Sequence, residues 1–315
     1  MRLARAGRLA SAMRWKRGHR SDSIEDRRAS GGGGGIGGLP IPIGRGGGIA
    51  GIVILVVIAL LGGGNIVGGG DGGSGPAIDN PLDQLPGSGE PAGAGRDVPG
   101  APDPDRELVE FMAFTLDDIQ ASWTRGFQAG GKRYEKTRLV LFRRGVRSGC
   151  GAASAATGPF YCPADRKVYI DLGFFRDLAD RFKAPGDFAQ AYVLAHEIGH
   201  HVQTLLGVSE DVQRRSGEDP SQRNDLSIRQ ELQADCLAGV WGHSTYERGI
   251  LESGDLDEGL DAAAAVGDDR IQEQGGGGVN PETWTHGSAE QRKKWFRRGF
   301  DSGNPEECNT FEGDV

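Results

Sequence analysis

The sequence predicts a mostly helical α+β domain with a small sheet, preceded by one transmembrane helix and a disordered linker. Apolar residues recur at helical spacing in most segments of the second half of the chain, whereas two earlier runs are of β type. Glycine makes up 54 of the 315 residues, and more than half of these glycines lie in the first hundred positions. Such a segment buries too little apolar surface to offset its backbone entropy, so the folded domain is expected in the later part of the chain.

The predicted domain boundaries follow these changes in composition. Residues 1–45 form a basic, glycine-rich tail with ten Lys/Arg and three Asp/Glu. Residues 46–64 form the transmembrane helix, residues 65–105 a flexible Gly/Pro/acidic linker, and residues 106–315 the folded domain. The whole chain has a net charge of −8, so the folded region is acidic. This argues against nucleic-acid binding, which requires positive charge on the folded part.

The transmembrane prediction rests on the run GGGIAGIVILVVIALLGGG at residues 46–64, since no charged residue lies between Arg45 and Asp71. With its glycines the run reaches the ~20 residues that span the hydrocarbon core of a membrane. A buried core helix and a cleaved signal peptide are the alternatives. The long basic flank and the absence of an A-x-A cleavage site directly after the run favour an uncleaved anchor. The Lys/Arg excess before the run predicts a cytoplasmic N-terminus and an extracytoplasmic domain at the cell membrane. Both Met1 and Met13 remain candidate starts.

All four cysteines lie after the apolar run, at Cys150, Cys162, Cys236 and Cys308. An even number of cysteines in an oxidising compartment indicates two disulfides. Of the three pairings that exist, the natural local pair joins Cys150 and Cys162, which bracket a loop of small residues. This pairing leaves Cys236 with Cys308. The absence of a C-x-x-C motif argues against a zinc ribbon.

The first elements of the domain are a helix and two strands. Residues 105–128 have apolar residues at helical spacing, and residues 137–142 (TRLVLF) are typical of a buried strand. Residues 166–175 (RKVYIDLGFF) indicate a strand followed by a short helix. A strand at this point, just ahead of the next helix, is a candidate for pairing with an extended peptide.

The later elements are predicted to be helices. One helix has Asp187 as a plausible N-cap and Gly207 as its C-terminal stop. A polar loop over residues 209–224 separates it from the next helix. The remaining predicted helices are DLSIRQELQADCLAGVWGH at residues 225–243, EGLDAAAAVGDDRIQ at residues 258–272, and GSAEQRKKWFRRGF at residues 287–300, where Ser288 and Gln291 have capping-box spacing.

The first of these helices carries the segment AHEIGHHVQ, which contains three histidines and a glutamate. His196 and His200 are four residues apart, so they project from one face of the helix and can bind one zinc ion at about 2.0–2.1 Å. Glu197 is rotated by about 100° from His196, where it can act as a general base towards an attacking water. This is the His-Glu-x-x-His pattern. His201 faces away and is expected to be exposed or hydrogen-bonded.

A catalytic zinc site needs three protein ligands and one open position. The best candidate for the third ligand is Glu231, in QELQAD. Asp235 lies one turn later on the same face, where it can accept the second ring N–H of a ligand histidine. The reverse assignment, with Asp235 as ligand and Glu231 in support, remains open, as does an exposed acidic face. The apolar neighbours on this helix favour buried carboxylates, which need partners.

A last histidine, His286 in WTHGSAEQR, lies just before a predicted helix N-cap. It is a candidate donor to the oxyanion that forms on a substrate carbonyl, and equally a packing or capping histidine. Tyr161 and Tyr169 are weaker candidates for the same role.

Several of these segments together resemble a known family, the bacterial "putative neutral zinc metallopeptidases". The segments are AHEIGHHVQ, ELQADCLAGVWG, GDDRIQ, THGSAEQRKKWF and CNTF, and MRWKRGHRSDSIEDRR near the N-terminus is similar to the start of that family. The resemblance implies a zincin-like fold and one zinc ion per chain, with His196 and His200 as ligands and Glu197 as the catalytic residue. Similarity to membrane-linked gluzincin peptidases supports Glu231 as the third ligand.

The sequence therefore leads to the hypothesis of a membrane-anchored zinc metalloendopeptidase that hydrolyses peptide or protein substrates outside the cytoplasm. Two alternatives remain. One is a non-catalytic metal-binding protein of the cell envelope, and the other is a zinc amidase that acts on cell-wall peptides.

Overall fold

The structure is a computed structural model and describes residues 13–30, 103–274 and 279–315. The strands are β1 (Ile24–Asp26), β2 (Arg138–Phe142), β3 (Gly145–Ser148), β4 (Gly151–Ser154), β5 (Phe160–Cys162) and β6 (Lys167–Asp171). The helices are α1 (Arg106–Ala129), α2 (Gly173–Asp180), α3 (Asp187–Leu206), α4 (Val208–Glu218), α5 (Arg223–Glu247), α6 (Asp255–Ala265), α7 (Asp268–Gln274) and α8 (Ala289–Ser302). The described residues thus form a mostly helical α+β fold, as predicted.

The main sheet has four strands in the order β1-β2-β6-β5. Strands β1, β2 and β6 are parallel, and β5 is antiparallel to β6. Alternate residues point to opposite faces: Leu139, Leu141 and Ile170 join the main hydrophobic core with the helices, whereas Val140 and Tyr169 join a smaller cluster. Both faces of β2 and β6 are therefore buried, which explains their nearly continuous apolar sequences.

The position of β6 corrects the idea that the RKVYIDL strand pairs with a peptide. It lies between β2 and β5 and is hydrogen-bonded to both, so its edges are already occupied. The expected strands at residues 137–142 and 166–175, and the short helix that follows, are confirmed as β2, β6 and α2.

Residues 13–30 belong to the same fold as the domain that follows the apolar run. β1 pairs with β2 in register Ile24↔Leu139, and the side chain of Met13 is buried in the main core. Arg28 forms an ion pair with Asp103 at 2.8 Å, so the two described ends that flank residues 31–102 lie side by side. This differs from the predicted division into a separate tail at residues 1–45 and a domain that starts at residue 106.

The pairing of β1 with β2 also bears on the predicted membrane topology. The structure pairs β1 with β2, whereas the expected cytoplasmic tail and extracytoplasmic domain would lie on opposite sides of a membrane. The predicted span at residues 46–64 and most of the linker lie outside the described residues. Within the described ranges, no helix is long and apolar enough to cross a membrane.

Three helices cross closely because glycines remove side chains at the crossings. A Cβ added at Gly199 of α3 would lie 3.0 Å from the carbonyl oxygen of Ala234 in α5. A Cβ at Gly239 of α5 would overlap the backbone at Phe296 in α8, and one at Gly299 of α8 would overlap the carbonyl of Cys236. The backbones of α3, α5 and α8 therefore approach more closely than larger residues would allow, which brings their polar side chains together.

Two helical predictions need correction. Residues 209–224 are largely helical rather than a loop: α4 is polar, but Arg214 forms an ion pair one turn away with Glu218 at 2.9 Å, and Val212 is buried. Pairs at this spacing stabilise polar helices. The predicted helix at residues 258–272 is divided into α6 and α7. The division lies at Gly267, whose backbone packs so closely against Ala289 at the start of α8 that a Cβ would not fit.

The predicted ends of helices are mostly confirmed. Gly207 ends α3 in the left-handed conformation, with φ of 81°. Ser288 and Gln291 form the expected capping box at α8. Asp187 is the first residue of α3 and not its N-cap, which is Gly186. The two predicted disulfides, Cys150–Cys162 and Cys236–Cys308, are both present.

Candidate metal centre

The histidines of the His-Glu-x-x-His segment lie on α3 where it faces α5. The rings of His196 and His200 project from adjacent turns, and their centroids are 4.8 Å apart. His196 is buried and His200 is partly buried. The backbone at Gly199, between them, contacts α5, so the same turn of α3 that carries the histidines is the turn that α5 approaches.

The close crossing brings Glu231 of α5 to both histidines. Its Oε2 atom is 3.2 Å from Nε2 of His196, and its Oε1 atom is 3.4 Å from Nε2 of His200. Ligand atoms of all three residues lie within 4.8 Å of one another. The structure thus brings together the three residues that the sequence identified as candidate ligands, although two of them lie on a different helix from the third.

This donor set fits a zinc ion. Nitrogen and oxygen ligands at about 2.0–2.1 Å in a tetrahedral arrangement are about 3.3 Å from one another. Two different oxygens of Glu231 lie 3.2 Å from Nε2 of His196 and 3.4 Å from Nε2 of His200, so its carboxylate faces both imidazoles at close to this spacing. Two imidazoles and one carboxylate are also a donor set found in catalytic zinc sites, where a fourth position stays open for water or substrate.

The second ring nitrogens of both histidines are hydrogen-bonded, which fixes the orientation of each ring. Nδ1 of His196 lies 2.9 Å from Oδ1 of Asp235. Nδ1 of His200 lies 2.8 Å from Oε1 of Gln203, whose amide group donates to the carbonyl of Gln230. In each histidine Nδ1–H is therefore a donor to these partners, which leaves Nε2 as the nitrogen that faces Glu231 and would bind a metal ion.

Asp235 contacts the side of His196 that faces away from Glu231. It is completely buried and accepts hydrogen bonds from Arg292 at 2.8 and 3.0 Å, and also from the hydroxyl of Tyr192. Both oxygens of Asp235 are therefore engaged in hydrogen bonds. Asp235 lies on the side of His196 that is opposite the candidate metal position. Between the two alternatives from the sequence, the geometry favours Glu231 as ligand and Asp235 as its support.

Arg292 and Tyr192 were not identified from the sequence. Arg292 is 3 % exposed, although it lies in the strongly basic run EQRKKWFRRGF, where a cation is expected to be solvated. A signal was present, because Arg292 shares helical spacing with Trp295, Phe296 and Gly299, all of which are buried. A cation on the buried face of a helix needs a buried anion, and Asp235 is that anion.

Neighbouring charges shift the pKa values of His196 and Glu231. Burial lowers the pKa of His196, but the carboxylates of Asp235 and Glu231 outweigh this effect and raise it to about 10. Burial raises the pKa of Glu231, but the charge of His200 and the hydrogen bonds from both imidazoles hold it well below its usual range. The site therefore has ionised carboxylates of Asp235 and Glu231 around His196, a negative potential that suits a divalent cation.

Glu197 follows His196 on α3 and is 8 % exposed. Burial raises the pKa of its carboxyl, and the charges of His196 and His200 and a hydrogen bond from the backbone of Tyr161 partly offset this rise. The carboxyl therefore lies beside the two histidines and next to β5. Its raised pKa brings it closer to the range in which a carboxylate both accepts and returns a proton.

His286 is buried next to the site and is held by Asp268, the first residue of α7. Nδ1 of His286 lies 3.0 Å from Oδ1 of Asp268, and Oδ2 accepts hydrogen bonds from the backbone N–H groups of residues 285–287. Burial lowers the pKa of His286, but Asp268 and the charge of Glu231 raise it above its usual value. The other ring nitrogen, Nε2, is free of this interaction with Asp268.

Three other aromatic or histidine residues have partners away from the centre. His201 is completely buried and makes hydrogen bonds with the hydroxyl of Tyr161 at 3.0 Å and with the carbonyl of Glu135 at 2.6 Å. This confirms that it is hydrogen-bonded and not a ligand of this cluster. The hydroxyl of Tyr169 donates to Asp165. The hydroxyls of Tyr161 and Tyr169 therefore point to other partners than the candidate metal centre.

Comparison with known proteins agrees with the family resemblance seen in the sequence motifs. Residues 13–311 match the family described as "Putative neutral zinc metallopeptidase". The uncharacterized protein YpfJ of Escherichia coli K12 is 44 % identical over 302 residues, which cover 95 % of this chain and 99 % of YpfJ. The uncharacterized protein Rv2575 of Mycobacterium tuberculosis H37Rv is 48 % identical over 189 residues, which cover 56 % of this chain and 63 % of that protein.

No solved structure matches the chain, so the zincin-like fold implied by the sequence motifs stays a prediction. The family match covers nearly all of the chain and includes both halves of the site, the histidines of α3 and the carboxylates of α5. The chain therefore belongs to the family described as "Putative neutral zinc metallopeptidase".

Proposed function

We propose that the protein is a zinc-dependent endopeptidase that holds one zinc ion with His196, His200 and Glu231. The observation that carries the proposal is the convergence of three ligand atoms within 4.8 Å of one another, next to the buried carboxyl of Glu197. Membership of a zinc metallopeptidase family supports the same reading of these residues.

When bound, zinc supplies a Lewis acid that polarises a peptide carbonyl and makes a water molecule acidic near neutral pH. Glu197 accepts the proton of the attacking water and passes it to the amine of the leaving half of the peptide. Burial supports this role in two ways. It raises the pKa of the Glu197 carboxyl, and it excludes bulk water that would compete for the proton.

Asp235 and Arg292 position His196 rather than take part in the reaction. Asp235 accepts the Nδ1–H of His196, and Arg292 fixes Asp235 through two hydrogen bonds. Such partners of ligand histidines set the tautomer and the direction of the lone pair, and their loss typically weakens metal binding about 10–100-fold.

His286 donates to the oxygen of the scissile carbonyl as negative charge develops there. Asp268 holds Nδ1 of His286, which leaves Nε2 as the donor. Asp268 and the charge of Glu231 raise the pKa of His286, which favours the protonated form of the ring that such a donor needs.

The substrate lies along β5 rather than β6. Strand β5 is the end of the four-stranded sheet among the described residues, and the backbone of Tyr161 in β5 helps to lower the pKa of Glu197. This strand therefore lies beside the catalytic carboxyl. An extended peptide on this edge would be held mainly through its backbone, which implies weak selectivity for side chains.

Replacement of the general base tests the mechanism. Glu197→Gln keeps the shape of the side chain but removes proton acceptance, so kcat on an unfolded protein such as casein should fall by about 10²–10⁴-fold, while zinc content measured by atomic absorption stays unchanged. Glu210→Gln, at an exposed position of α4, is the matched control and should retain full activity.

The same assay separates the alternatives. Equal activity of Glu197→Gln and the unaltered protein would contradict the mechanism. Zinc binding without hydrolysis of any peptide would favour a non-catalytic metal-binding protein. Hydrolysis of cell-wall muropeptides but not of casein would favour a zinc amidase.

Replacement of the two carboxylates of α5 tests the ligand assignment. Glu231→Ala removes a ligand, so the protein should lose stoichiometric zinc. Asp235→Ala removes only support for His196, so zinc affinity measured by competition with a chelator should fall by about 10–100-fold. Asp225→Ala, at an exposed position of the same helix, should bind zinc normally. A greater loss of zinc with Asp235→Ala than with Glu231→Ala would reverse the assignment.

Replacement of His286 tests its role in transition-state stabilisation. His286→Ala should lower kcat by about 10²–10³-fold with little change in KM, because the lost hydrogen bond forms only as the oxyanion develops. Zinc content and the melting temperature report whether the site and the fold are intact. A histidine that only caps or packs would instead lower the melting temperature and leave kcat of the folded protein unchanged.

We also propose that residues 13–30 and the rest of the described fold lie together outside the cytoplasm. Two disulfides support this location, since disulfides persist mainly in oxidising compartments. Attachment to the membrane through residues 46–64 stays a prediction from the sequence.

Cysteine labelling in intact cells tests the location. Lys16→Cys and Glu210→Cys replace exposed residues in the two parts of the fold, and both should react with a maleimide that does not cross membranes. Labelling of only one of the two would contradict the shared location, and labelling of both only after lysis would place the protein in the cytoplasm.

A further inference from the structure

A second cluster of acidic side chains lies away from the candidate metal centre. Asp187, Asp255 and Glu258 have carboxylate oxygens within 4.8 Å of one another. Asp187 is the first residue of α3, Asp255 is the first residue of α6, and Glu258 lies one turn into α6. We name these three residues the acidic trio.

Part of the acidic trio is used to cap backbone groups. Asp255 accepts a hydrogen bond from the N–H of Glu252, and Glu258 accepts one from the N–H of Phe188. Asp187 differs, because its Oδ1 atom is buried and has no hydrogen-bond partner. Capping therefore accounts for some of the negative charge but does not satisfy Asp187.

The remaining oxygen of Asp187 accepts a hydrogen bond from the backbone of Met13. The backbone nitrogen of Met13 donates to Oδ2 of Asp187 at 2.7 Å. The side chain of Met13 is 4 % exposed and belongs to the main core, and the N–H of Arg14 donates to the carbonyl of Ile250 at 2.8 Å. The nitrogen of Met13 is thus held firmly at the acidic trio by its own side chain and by the next residue.

A separate observation also singles out Met13, because the family match begins at that residue. A chain that begins at Met13 carries an α-ammonium group on this nitrogen, with a positive charge and three N–H donors. A chain that continues before Met13 has only one uncharged N–H there.

We propose that the acidic trio is a binding site for the α-ammonium group of Met13, formed when the chain begins at that residue. An ammonium at this nitrogen offers three donors beside Asp187, whose carboxylate already accepts from it, and hydrogen bonds between ions are about twice as strong as those between neutral groups. The orphaned Oδ1 of Asp187 gains a donor in this state.

The electrostatics around the trio agree with a cationic ligand. With an uncharged N–H at residue 13, burial and the neighbouring carboxylates raise the pKa of Asp187 to about 6 and that of Glu258 to about 7. A positive charge at the Met13 nitrogen would relieve this repulsion. Because Asp187 begins α3, the bound ammonium would anchor the helix that carries His196 and His200 at its first residue.

A cycle of chains and substitutions tests the site. Chains that begin at Met1 and at Met13 are produced, each with Asp187 unchanged or as Asp187→Asn, and their melting temperatures are compared. The chain that begins at Met13 should melt higher by on the order of 5 °C, and Asp187→Asn should remove most of that difference. Asp257→Asn, an exposed neighbour on α6 outside the trio, should preserve it.

Chemical labelling gives a second readout that does not depend on stability. In the folded chain that begins at Met13, the α-amine should resist acylation at neutral pH, because it is buried and held in its protonated form. In Asp187→Asn the amine should acylate at least about tenfold faster, as expected if its pKa returns towards the ordinary 7.7–8.0. The modified residue is identified by mass spectrometry of the N-terminal peptide.

Other outcomes would overturn the proposal. Equal melting temperatures for the two chains would show that the acidic trio does not bind the ammonium group. An α-amine that acylates equally fast in the unaltered chain and in Asp187→Asn would show the same. Stoichiometric binding of Ca²⁺ alone to the chain that begins at Met13, abolished by Asp187→Asn, would show that the trio binds a metal ion instead.

Discussion

The close crossing of α3 and α5 is the constraint on which the candidate site depends. Glu231 reaches the imidazoles of His196 and His200 because Gly199 has no side chain to hold the two backbones apart. Metal ligation tolerates errors of only about 0.2 Å, whereas a Cβ at Gly199 would force a shift of that size or more. Gly199, which is not itself a candidate ligand, thus controls whether the candidate ligands of two helices meet.

A network of buried charged side chains also connects α3 and α5, and it includes α8. Asp235 of α5 links His196 of α3 to Arg292 of α8, and all three side chains are buried. Removal of one partner from a buried ion pair costs about 3–5 kcal/mol, because the other charge is left without compensation. The network therefore favours a single relative position of three helices, and the glycines at the crossing of α5 and α8 allow Arg292 to reach it.

The fold is assembled from segments on both sides of a long undescribed stretch. β1 supplies an edge strand, and Arg28 pairs with Asp103 where the two described ends meet. The entropy of loop closure grows only slowly with loop length, so about seventy intervening residues are a small cost against the pairing of β1 and the burial of Met13. The N-terminal segment is thereby linked to the helix of the metal centre, through Asp187 at the start of α3.

The sequence by itself determined the local features: the helical and strand segments, the Gly207 and Ser288 helix ends, the Cys150–Cys162 pair, and the spacing of His196, Glu197 and His200. These depend on contacts between residues close in the chain, which periodicity and composition record. Only the tertiary structure decided that Glu231 rather than Asp235 faces both histidines, that Arg292 is buried, that β6 is internal, and that residues 13–30 complete the sheet. Each of these depends on which backbones meet across long sequence separations, and a single sequence does not contain that information.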